Sequence, residues 1–158
     1  MKEILFKAKR ADWRKLPKEE WWVEGYITQR KGSDGKVFES WIILDAYEQI
    51  GVLNMKSALV SETGFNCYKV DYETVCEYTG LTGKNSRKIF ENDICDRKEK
   101  FPEIVTYHDG DWTLDYSYAS GKESGYNYCN LGFYVRNRGG VEVVGNIFDN
   151  PELLEEGD

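Results

Sequence analysis

The stretch EIVTYHDGDWTLDYSY, Glu103–Tyr118, predicts an antiparallel hairpin in the second half of the chain. Its centre, Asp109-Gly110, is a two-residue connection that prefers a type I′ turn, and such a turn fixes the register of the flanking strands. The register and the alternation of apolar residues agree, because both place the large apolar side chains on one face. The cross-strand pairs on that face are Tyr107 with Trp112 and Val105 with Leu114.

An aromatic row continues along this hairpin, and we expect it to fill the interior of the C-terminal half. A protein interface is the alternative, because Tyr and Trp are frequent interface anchors and the Gly- and Ser-containing loop Ser120–Gly125 follows the row. The row consists of Tyr107, Trp112, Tyr116 and Tyr118.

Short strands on either side of the hairpin predict a small, closed antiparallel barrel. Period-two alternation starts at about Asp93 and recurs at Leu131–Val135 and Val141–Gly145, which gives five strands when the hairpin is included. Closure of the barrel would remove the open sheet edges that invite aggregation.

The N-terminal half has the pattern of a β-meander. Alternation begins at Ile4, and strand patterns follow at Glu20–Arg30 and Val37–Leu44, joined by the hairpin-loop chemistry of Lys31–Lys36. The next segment, Ala46–Phe65, fits a short helix and an irregular connection equally well, because its apolar residues have helical spacing but glycines bracket it.

These patterns predict a mostly β chain in two parts. Residues 1–65 would form the N-terminal β-meander with its irregular connection, and residues 66–158 the C-terminal barrel. A short helix would close the chain at Pro151, capped by Asp149 or Asn150.

The composition is that of a soluble globular protein, with 41% hydrophobic and 31% charged residues. A length of 158 residues suits one domain or two small subdomains, and such a chain needs no disulfide or metal to be stable. The net charge of -7 repels phosphate backbones, so nucleic-acid binding would require a local basic face.

The cysteines and the N-terminus indicate a cytoplasmic protein. None of the four cysteines lies in a close C-x-x-C pair, so we expect reduced thiols, no metal and no cofactor. The N-terminus has no unbroken apolar stretch, and no apolar run approaches about 18 residues, so we expect neither a signal peptide nor a membrane span.

A longer motif precedes the hairpin. Tyr-Thr-Gly-Leu at 78–81 opens it, a polar turn with Lys84 and Asn85 follows, and an apolar pair leads into Glu91 and Asp93. With this motif the chain resembles the YopX family, small proteins carried by bacteriophages and prophages. Other segments that resemble the family are Val70–Val75, the ending Val141–Leu153, and Phe6, Ala8, Trp22, Gly25 and Tyr26 near the N-terminus.

The resemblance implies an SH3-like barrel in the C-terminal half, a phage or prophage gene, and self-association in a bacterial host. It supplies no catalytic residue. Two residues depart from the family pattern, because Asn92 and Ser86 stand where the family usually has glycine. Asn visits the left-handed region readily, so Asn92 is expected to keep the turn, whereas Ser86 predicts a different local turn.

Candidate catalytic groups are few. His108, the single histidine, could pair with Asp111, but it lies at an exposed hairpin end without a nucleophile motif, so we expect a solvated turn residue. Glu91 and Asp93 could form an acid–base pair, yet a carboxylate that caps turn amides is the simpler interpretation. We therefore predict no enzymatic activity.

Basic residues form two clusters that would make a binding patch if they were neighbours. The clusters are Lys84, Arg87 and Lys88, and Arg97, Lys98 and Lys100. A second group has the mixed aromatic and basic character of single-strand binders; it contains Trp13, Trp21 and Trp22 with Lys9, Arg10, Arg14 and Lys15. The principal prediction is nevertheless a non-catalytic binding or assembly module with an unidentified protein partner, and a nucleic-acid accessory protein is the alternative.

Overall fold

The computed structural model describes residues 4–53, 58–120, 128–137 and 140–155, with the backbone alone at 45–53, 58–65, 85 and 120. The fold is mostly β, with antiparallel sheets and few helices, as the sequence predicts. Two compact units are present: Leu5–Val75, the N-terminal unit, and Cys76–Asp158 with Met1–Ile4, the C-terminal unit. The predicted division after residue 65 stays a prediction, and that point lies inside a strand.

The N-terminal unit is a four-stranded antiparallel meander in the order β4-β3-β2-β1. Its short 3-10 turns are Trp13–Lys15, Lys18–Glu20 and Tyr72–Thr74. Its strands are β1 (Phe6–Lys9), β2 (Trp22–Lys31), β3 (Val37–Leu53) and β4 (Ala58–Val70).

One face of this meander is its core. Ala8, Ile42 and Val70 are buried there, each on a different strand. The register explains the arrangement, because Ile27 pairs with Ile42 and Ala8 pairs with Val23, so that alternate residues of neighbouring strands share the face. Partly buried side chains complete the core: Phe6, Val23, Ile27 and Val75.

The segment Ala46–Phe65 is neither a short helix nor an irregular connection, so both predictions are wrong over its described residues. β3 continues to Leu53 and pairs with β4 from Ala58, in register from Ala46 with Phe65 to Leu53 with Ala58. Backbone pairing between two strands outweighs the weak helical spacing of a segment that contains glycines. Met55 and Lys56, which contributed to that spacing, lie outside the described residues.

The C-terminal unit contains an antiparallel pair, β5 (Cys76–Thr82) with β6 (Lys88–Phe90), joined through the 3-10 turn Lys84–Ser86. It also contains a five-stranded sheet in the order β10-β9-β8-β7-β11. The strands of that sheet are β7 (Asp93–Asp96), β8 (Glu103–His108), β9 (Asp111–Asp115), β10 (Tyr128–Asn130) and β11 (Glu142–Asn146). The helices are α1 (Ser117–Ser120) and α2 (Leu131–Asn137), with a final 3-10 turn at Pro151–Leu154.

The central hairpin has the predicted register. Tyr107 pairs with Trp112 and Val105 with Leu114. Asp109 and Gly110 both have positive φ, 50° and 87°, as a type I′ turn requires. The strand ends at Asp115 and α1 follows, so the predicted strand extension to Tyr118 is wrong.

A closed barrel is not confirmed. Across the described residues, β10 and β11 each pair with one neighbour only, so the sheet is open. The turn between β5 and β6 protects the β11 edge instead. The Lys84 backbone N–H donates to the Val141 carbonyl at 2.9 Å, and Arg87 Nη1 donates to the Val143 carbonyl at 3.2 Å. Bonded carbonyls along an edge strand are unavailable for pairing with another chain.

The predicted strand at Leu131–Val135 is instead the helix α2. Leu131, Tyr134 and Val135 are spaced by three and four residues, so a helix brings them to one face, and they pack on the core. The Asn130 side chain accepts a hydrogen bond from the Phe133 backbone N–H at 2.7 Å, which supports the first turn. Period-two and helical spacing both fit so short a segment, and the core contacts select the helix.

The core of the C-terminal unit is built from both sides of the hairpin and from α2. Val105, Leu114 and Leu131 are fully buried. Tyr107 lies on the same hairpin face but is 59% exposed, so its predicted place in the interior is wrong, whereas Trp112 is only 8% exposed. Other buried members of the core are Ile89, Cys95, Val141 and Val143.

The two departures from the family pattern keep a left-handed backbone. Asn92 has φ 63°, as expected, and Ser86 has φ 58°, so both residues adopt a backbone conformation that glycine favours. Asn92 occupies a fixed position, because its backbone N–H donates to the Val105 carbonyl at 2.8 Å and its carbonyl accepts from the Ile147 N–H at 3.1 Å. A residue with a side chain is strained in the left-handed region, and asparagine is strained less than serine.

Ser86→Gly is therefore expected to raise the free energy of unfolding by about 0.5–1 kcal/mol. Glycine adopts positive φ without the steric cost, and this gain exceeds the larger loss of chain entropy that glycine undergoes on folding. Equilibrium unfolding in urea measures the change. Ser33→Gly is the control, since Ser33 is not among the residues with positive φ, and it should be neutral or destabilising. A loss of stability in Ser86→Gly would contradict the prediction.

Candidate functional site

The residues of the family motif support the backbone. The buried hydroxyl of Thr79 donates to the Ile89 carbonyl at 2.8 Å and accepts from the Leu81 N–H at 3.1 Å. The buried carboxylate of Asp93 accepts from the Phe90 N–H at 2.8 Å. Both groups satisfy backbone atoms at the β5–β6 pair and the turn into β7, so the simpler interpretation of Asp93 as a turn cap agrees with the structure.

Glu91 is the other carboxylate of the motif. Partial burial raises its pKa above the ordinary value, and the negative charge of Glu77 adds to the effect, while a backbone hydrogen bond involving Glu77 opposes it. The Glu91 backbone N–H donates to the Glu77 carbonyl at 2.9 Å. Asp93 is held by the backbone of the same turn, so each of the two carboxylates has its own environment.

The predicted basic cluster at the β5–β6 turn has mainly structural contacts. The backbone of Lys84 and the guanidinium of Arg87 bind carbonyls at the β11 edge, as described above. The close approach of this turn also explains Gly83, where a Cβ would lie 2.4 Å from the Val141 carbonyl oxygen. Lys88 lies 5.9 Å from the centre of the Tyr78 ring.

Two members of the second predicted cluster, Arg97 and Lys98, have carboxylate partners. Arg97 makes a two-pronged ion pair with Glu103, and the two side chains are only 11% and 3% exposed. The hydrogen bonds that Arg97 donates to Glu103 raise the pKa of Arg97 above its ordinary value. Lys98 pairs with Asp96 at 2.8 Å, and this bond lowers the pKa of Asp96 and raises that of Lys98.

Two of the predicted basic residues of the C-terminal unit, Arg97 and Lys98, are thus paired with carboxylates, and ligand binding by the two clusters stays a prediction. By sequence this unit contains 10 Lys and Arg against 17 Asp and Glu, whereas the N-terminal unit contains 11 of each. The net charge of -7 belongs entirely to the unit in which the predicted patch lies. Long-range repulsion of phosphate is concentrated there.

The aromatic and basic residues of the N-terminal unit do come together. The Lys9 ammonium lies 4.1 Å from the centre of the Trp13 ring, 4.6 Å from that of Trp21 and 5.5 Å from that of Trp22. Arg14 covers Trp13 as well, at 4.5 Å. Cation–aromatic contacts of this kind hold the cluster together, and the chain's own cations occupy ring faces on which a base would stack.

A pocket of about 340 Å³ opens beside the Arg97–Glu103 pair. The guanidinium of Arg97 lies 3.8 Å from the centre of the Tyr134 ring. Cys129 also lines this pocket, and burial, with help from the charge of Glu103, raises the pKa of its thiol to about 11. A thiol with that pKa is protonated at neutral pH and is a poor nucleophile.

His108 lies in the exposed hairpin end where the sequence places it. Its Nδ1 is 3.2 Å from Asp109, and its ring is 4.4 Å from the ring of Tyr128. It faces Asp111 across the hairpin in the strand register, but its ion contact is with Asp109, its neighbour in the turn. Within the described ranges, no three His, Cys, Asp or Glu side chains gather as a metal site would require.

A further candidate site is an aromatic groove of about 530 Å³ between β9, α2 and the end of β5. Trp112 lines it, and Tyr107 packs edge-on against Trp112 with ring centres 5.0 Å apart. Phe133 is 47% exposed at its rim. We call Tyr107, Trp112 and Phe133 the aromatic surface. The polar residues along the groove are Thr79, Asp111, Asn130, Arg136 and Asn137.

Sequence reasoning identified two of the three residues of the aromatic surface. Tyr107 and Trp112 follow from the hairpin register, and an interface built from aromatic residues was the stated alternative. Phe133 and Arg136 were missed because α2 was predicted as a strand, which would place these two residues on other faces. The helical spacing of Leu131, Tyr134 and Val135 is the signal that could have identified them.

The fold and the site define a class of protein made of two small β-rich units, whose motif residues support a turn and whose C-terminal unit carries an exposed aromatic groove. The sequence model of the YopX protein family matches residues 23–155. The chain belongs to the YopX family.

One solved structure is similar over nearly the whole chain. The crystal structure of protein EF1440 from Enterococcus faecalis aligns with a TM-score of 0.56 and 23% sequence identity, covering 98% of this chain and 100% of that one. This likeness supports the fold. No curated protein matches the sequence. Among the described residues, no helix is long and apolar enough to cross a membrane.

Proposed function

We propose that this YopX-family chain is a non-catalytic binding and assembly module that self-associates through its aromatic surface. The phage or prophage setting and the cytoplasm of a bacterial host are part of the proposal, and they rest on the family resemblance. The proposal also includes an SH3-like arrangement of the C-terminal strands. The observation that carries the proposal is that Trp112 and Phe133 line one groove while the exposed ring of Tyr107 packs on Trp112.

Exposed aromatic side chains are costly to leave in water, and contiguous ones mark interaction surfaces. Phe133 lines the groove and is 47% exposed, and Tyr107, which is 59% exposed, packs against the groove residue Trp112. Burial against a partner would remove this apolar surface from water at roughly 25 cal/mol per Å². A second copy of the chain is the partner that the proposal names, and it would bring the same aromatic residues.

The candidate catalytic groups support a non-catalytic role. His108 contacts a neighbouring turn residue at an exposed end, and the pKa of Cys129 is raised to about 11. Asp93, the buried carboxylate of the motif, accepts a backbone hydrogen bond. Each group thus has a structural partner, and none is poised as a nucleophile or base.

Phe133→Ser is expected to shift the protein from an oligomer to a single chain, because it removes an aromatic anchor from the rim of the groove. Light scattering on gel-filtered protein measures the mass. Phe38→Ser is the matched control, since Phe38 is 63% exposed on the other unit, and it should leave the mass unchanged. A wild-type protein with the mass of one chain, or an oligomer that survives Phe133→Ser, would refute the proposal.

A further inference from the structure

The segment Lys7–Glu20 of the N-terminal unit concentrates positive charge. By sequence it contains six Lys and Arg against three Asp and Glu. The unit as a whole contains 11 of each, which leaves five against eight for the rest of the unit. A local excess of this kind attracts anions even on a chain whose net charge is -7. The cations of the segment are Lys7, Lys9, Arg10, Arg14, Lys15 and Lys18.

The carboxylates of this segment do not reach all of its cations. Asp12 and Glu20 both pair with Arg10, at 3.2 and 3.7 Å. Glu19, the third carboxylate, is exposed and makes no ion pair within the described residues. Three exposed cations on the two 3-10 turns likewise have no carboxylate partner in the described part of the chain: Arg14, Lys15 and Lys18.

Two tryptophan rings gather cations at one place. Trp13 and Trp21 pack edge to face, with ring centres 4.7 Å apart. The Arg14 guanidinium lies 4.5 Å from the centre of Trp13, and the Lys18 ammonium lies 5.7 Å from that of Trp21. Lys9 contacts both rings, as described above. Attraction to the ring faces offsets the mutual repulsion of these cations. We call Trp13, Trp21, Arg14, Lys15 and Lys18 the cationic platform.

The rings of the cationic platform support the charges from below. Both indole N–H groups are used within the chain, because that of Trp13 donates to Asp71 at 3.4 Å and that of Trp21 donates to the Leu16 carbonyl at 2.9 Å. Both rings are partly buried, and the chain's own cations lie over them. The group that the platform offers to a ligand is therefore positive charge, rather than an aromatic face for stacking or for insertion into a lipid surface.

We propose that the cationic platform binds the phosphate backbone of a single-stranded nucleic acid without stacking on its bases. Phosphates are the partners that Arg and Lys most often bind on nucleic acids. A flexible single strand can follow cations on two short turns, whereas duplex readout requires a helix or a β-ribbon that enters a groove. The platform belongs to the N-terminal unit, while the net charge of -7 belongs to the other unit. This inference goes beyond the proposed function and does not use the aromatic surface.

Fluorescence anisotropy with a fluorescein-labelled thymidine 20-mer and the full-length protein tests the inference. At 50 mM salt, the double variant Lys15→Glu with Lys18→Glu should bind about tenfold or more weakly than wild type. The slope of log affinity against log salt should become less negative by about 1.4, because two phosphate contacts of about 0.7 each are lost.

The double variant Lys31→Glu with Lys36→Glu is the matched control, because it changes the net charge by the same amount. Lys31 ends β2, and its Cα lies nine residues, or about 30 Å, along the strand from Trp22. Lys36 is exposed in the loop that follows. Salt screens charges at that distance, so this variant should bind within about threefold of wild type.

Glu19→Lys gives the opposite result if the inference is right. It adds a cation beside Lys18 and should tighten binding by about threefold or more. A gain of affinity cannot arise from a loss of fold. An abasic 20-mer should bind wild type within about threefold of the thymidine 20-mer, because no base is stacked.

Four results would overturn the inference. Wild type that binds no strand, or two lysine double variants that are weakened equally, would remove the platform as the site. Tighter binding of a duplex 20-mer, or loss of binding to the abasic strand, would mean that another feature of the nucleic acid is recognised. Binding of phosphatidylglycerol vesicles without binding of any strand would overturn it in favour of a lipid surface. Light scattering reports self-association separately, so the proposed function can stand or fall alone.

Discussion

Arg97→Met is expected to lower the free energy of unfolding by about 3–5 kcal/mol, the largest effect we expect from any single charged residue of the chain. Arg97 and Glu103 bind each other through two hydrogen bonds and are nearly excluded from water. Methionine keeps much of the apolar stem but removes the charge. The Glu103 carboxylate would then be buried without a counter-charge, and the Tyr134 ring would lose its cation.

The double variant Arg97→Met with Glu103→Leu separates charge from packing. Because neither position of the pair then carries a charge, it should recover most of the lost stability in urea unfolding. Lys98→Met is the control for an exposed pair, since the Lys98 side chain is 70% exposed, and it should cost at most about 1 kcal/mol. An Arg97→Met protein no less stable than Lys98→Met would contradict the assignment of Arg97 to the support of the fold.

Leu114→Ala is expected to lower the free energy of unfolding by about 2–5 kcal/mol. Leu114 is fully buried, and it lies in the centre of the hairpin opposite Val105. Truncation would remove apolar contact and leave a cavity among neighbours from several elements of the unit, including Leu131 of α2. Thermal and urea unfolding should both report the loss.

Tyr107→Ala provides the matched control on the same face of the same hairpin. Tyr107 is mostly exposed, and its main contact is the edge-on packing against Trp112, so its removal should cost only about 0.5–1.5 kcal/mol. Equal effects of the two substitutions would mean that the hairpin face is not divided between core and surface as the structure shows.

The hairpin could be predicted because its determinants are local. Asp109 and Gly110 adopt positive φ readily, and this fixes which residues face each other across the turn. The same holds for Asn92, whose left-handed backbone follows from the intrinsic preference of asparagine. Backbone preferences of this kind depend only on residues that are adjacent in the sequence.

The errors occurred where two local patterns were equally acceptable. Leu131–Val135 alternates in period two, yet the same residues have the spacing of a helix that packs on the core. Ala46–Phe65 has helical spacing, yet its two halves pair as strands. In both cases contacts with residues far along the chain decided the outcome, and a local pattern contains no information about them.

Only part of the candidate site could be predicted, because it too depends on contacts between residues that are distant in the sequence. Sequence reasoning grouped the basic residues by their charge alone. It could not predict that Arg97 would pair with Glu103 and Lys98 with Asp96. Phe133 and Arg136 reach the groove only because α2 is a helix.

The amino-acid sequence by itself determined the strand-rich character, the register of the central hairpin and the family to which the chain belongs, because turn preferences and ordered motifs act between near neighbours. Tertiary structure alone decided which side of the aromatic row is exposed, which charges are cancelled and where the groove opens. These properties depend on residues that are distant in sequence and become neighbours only after folding, when water is excluded from one side of each strand and helix.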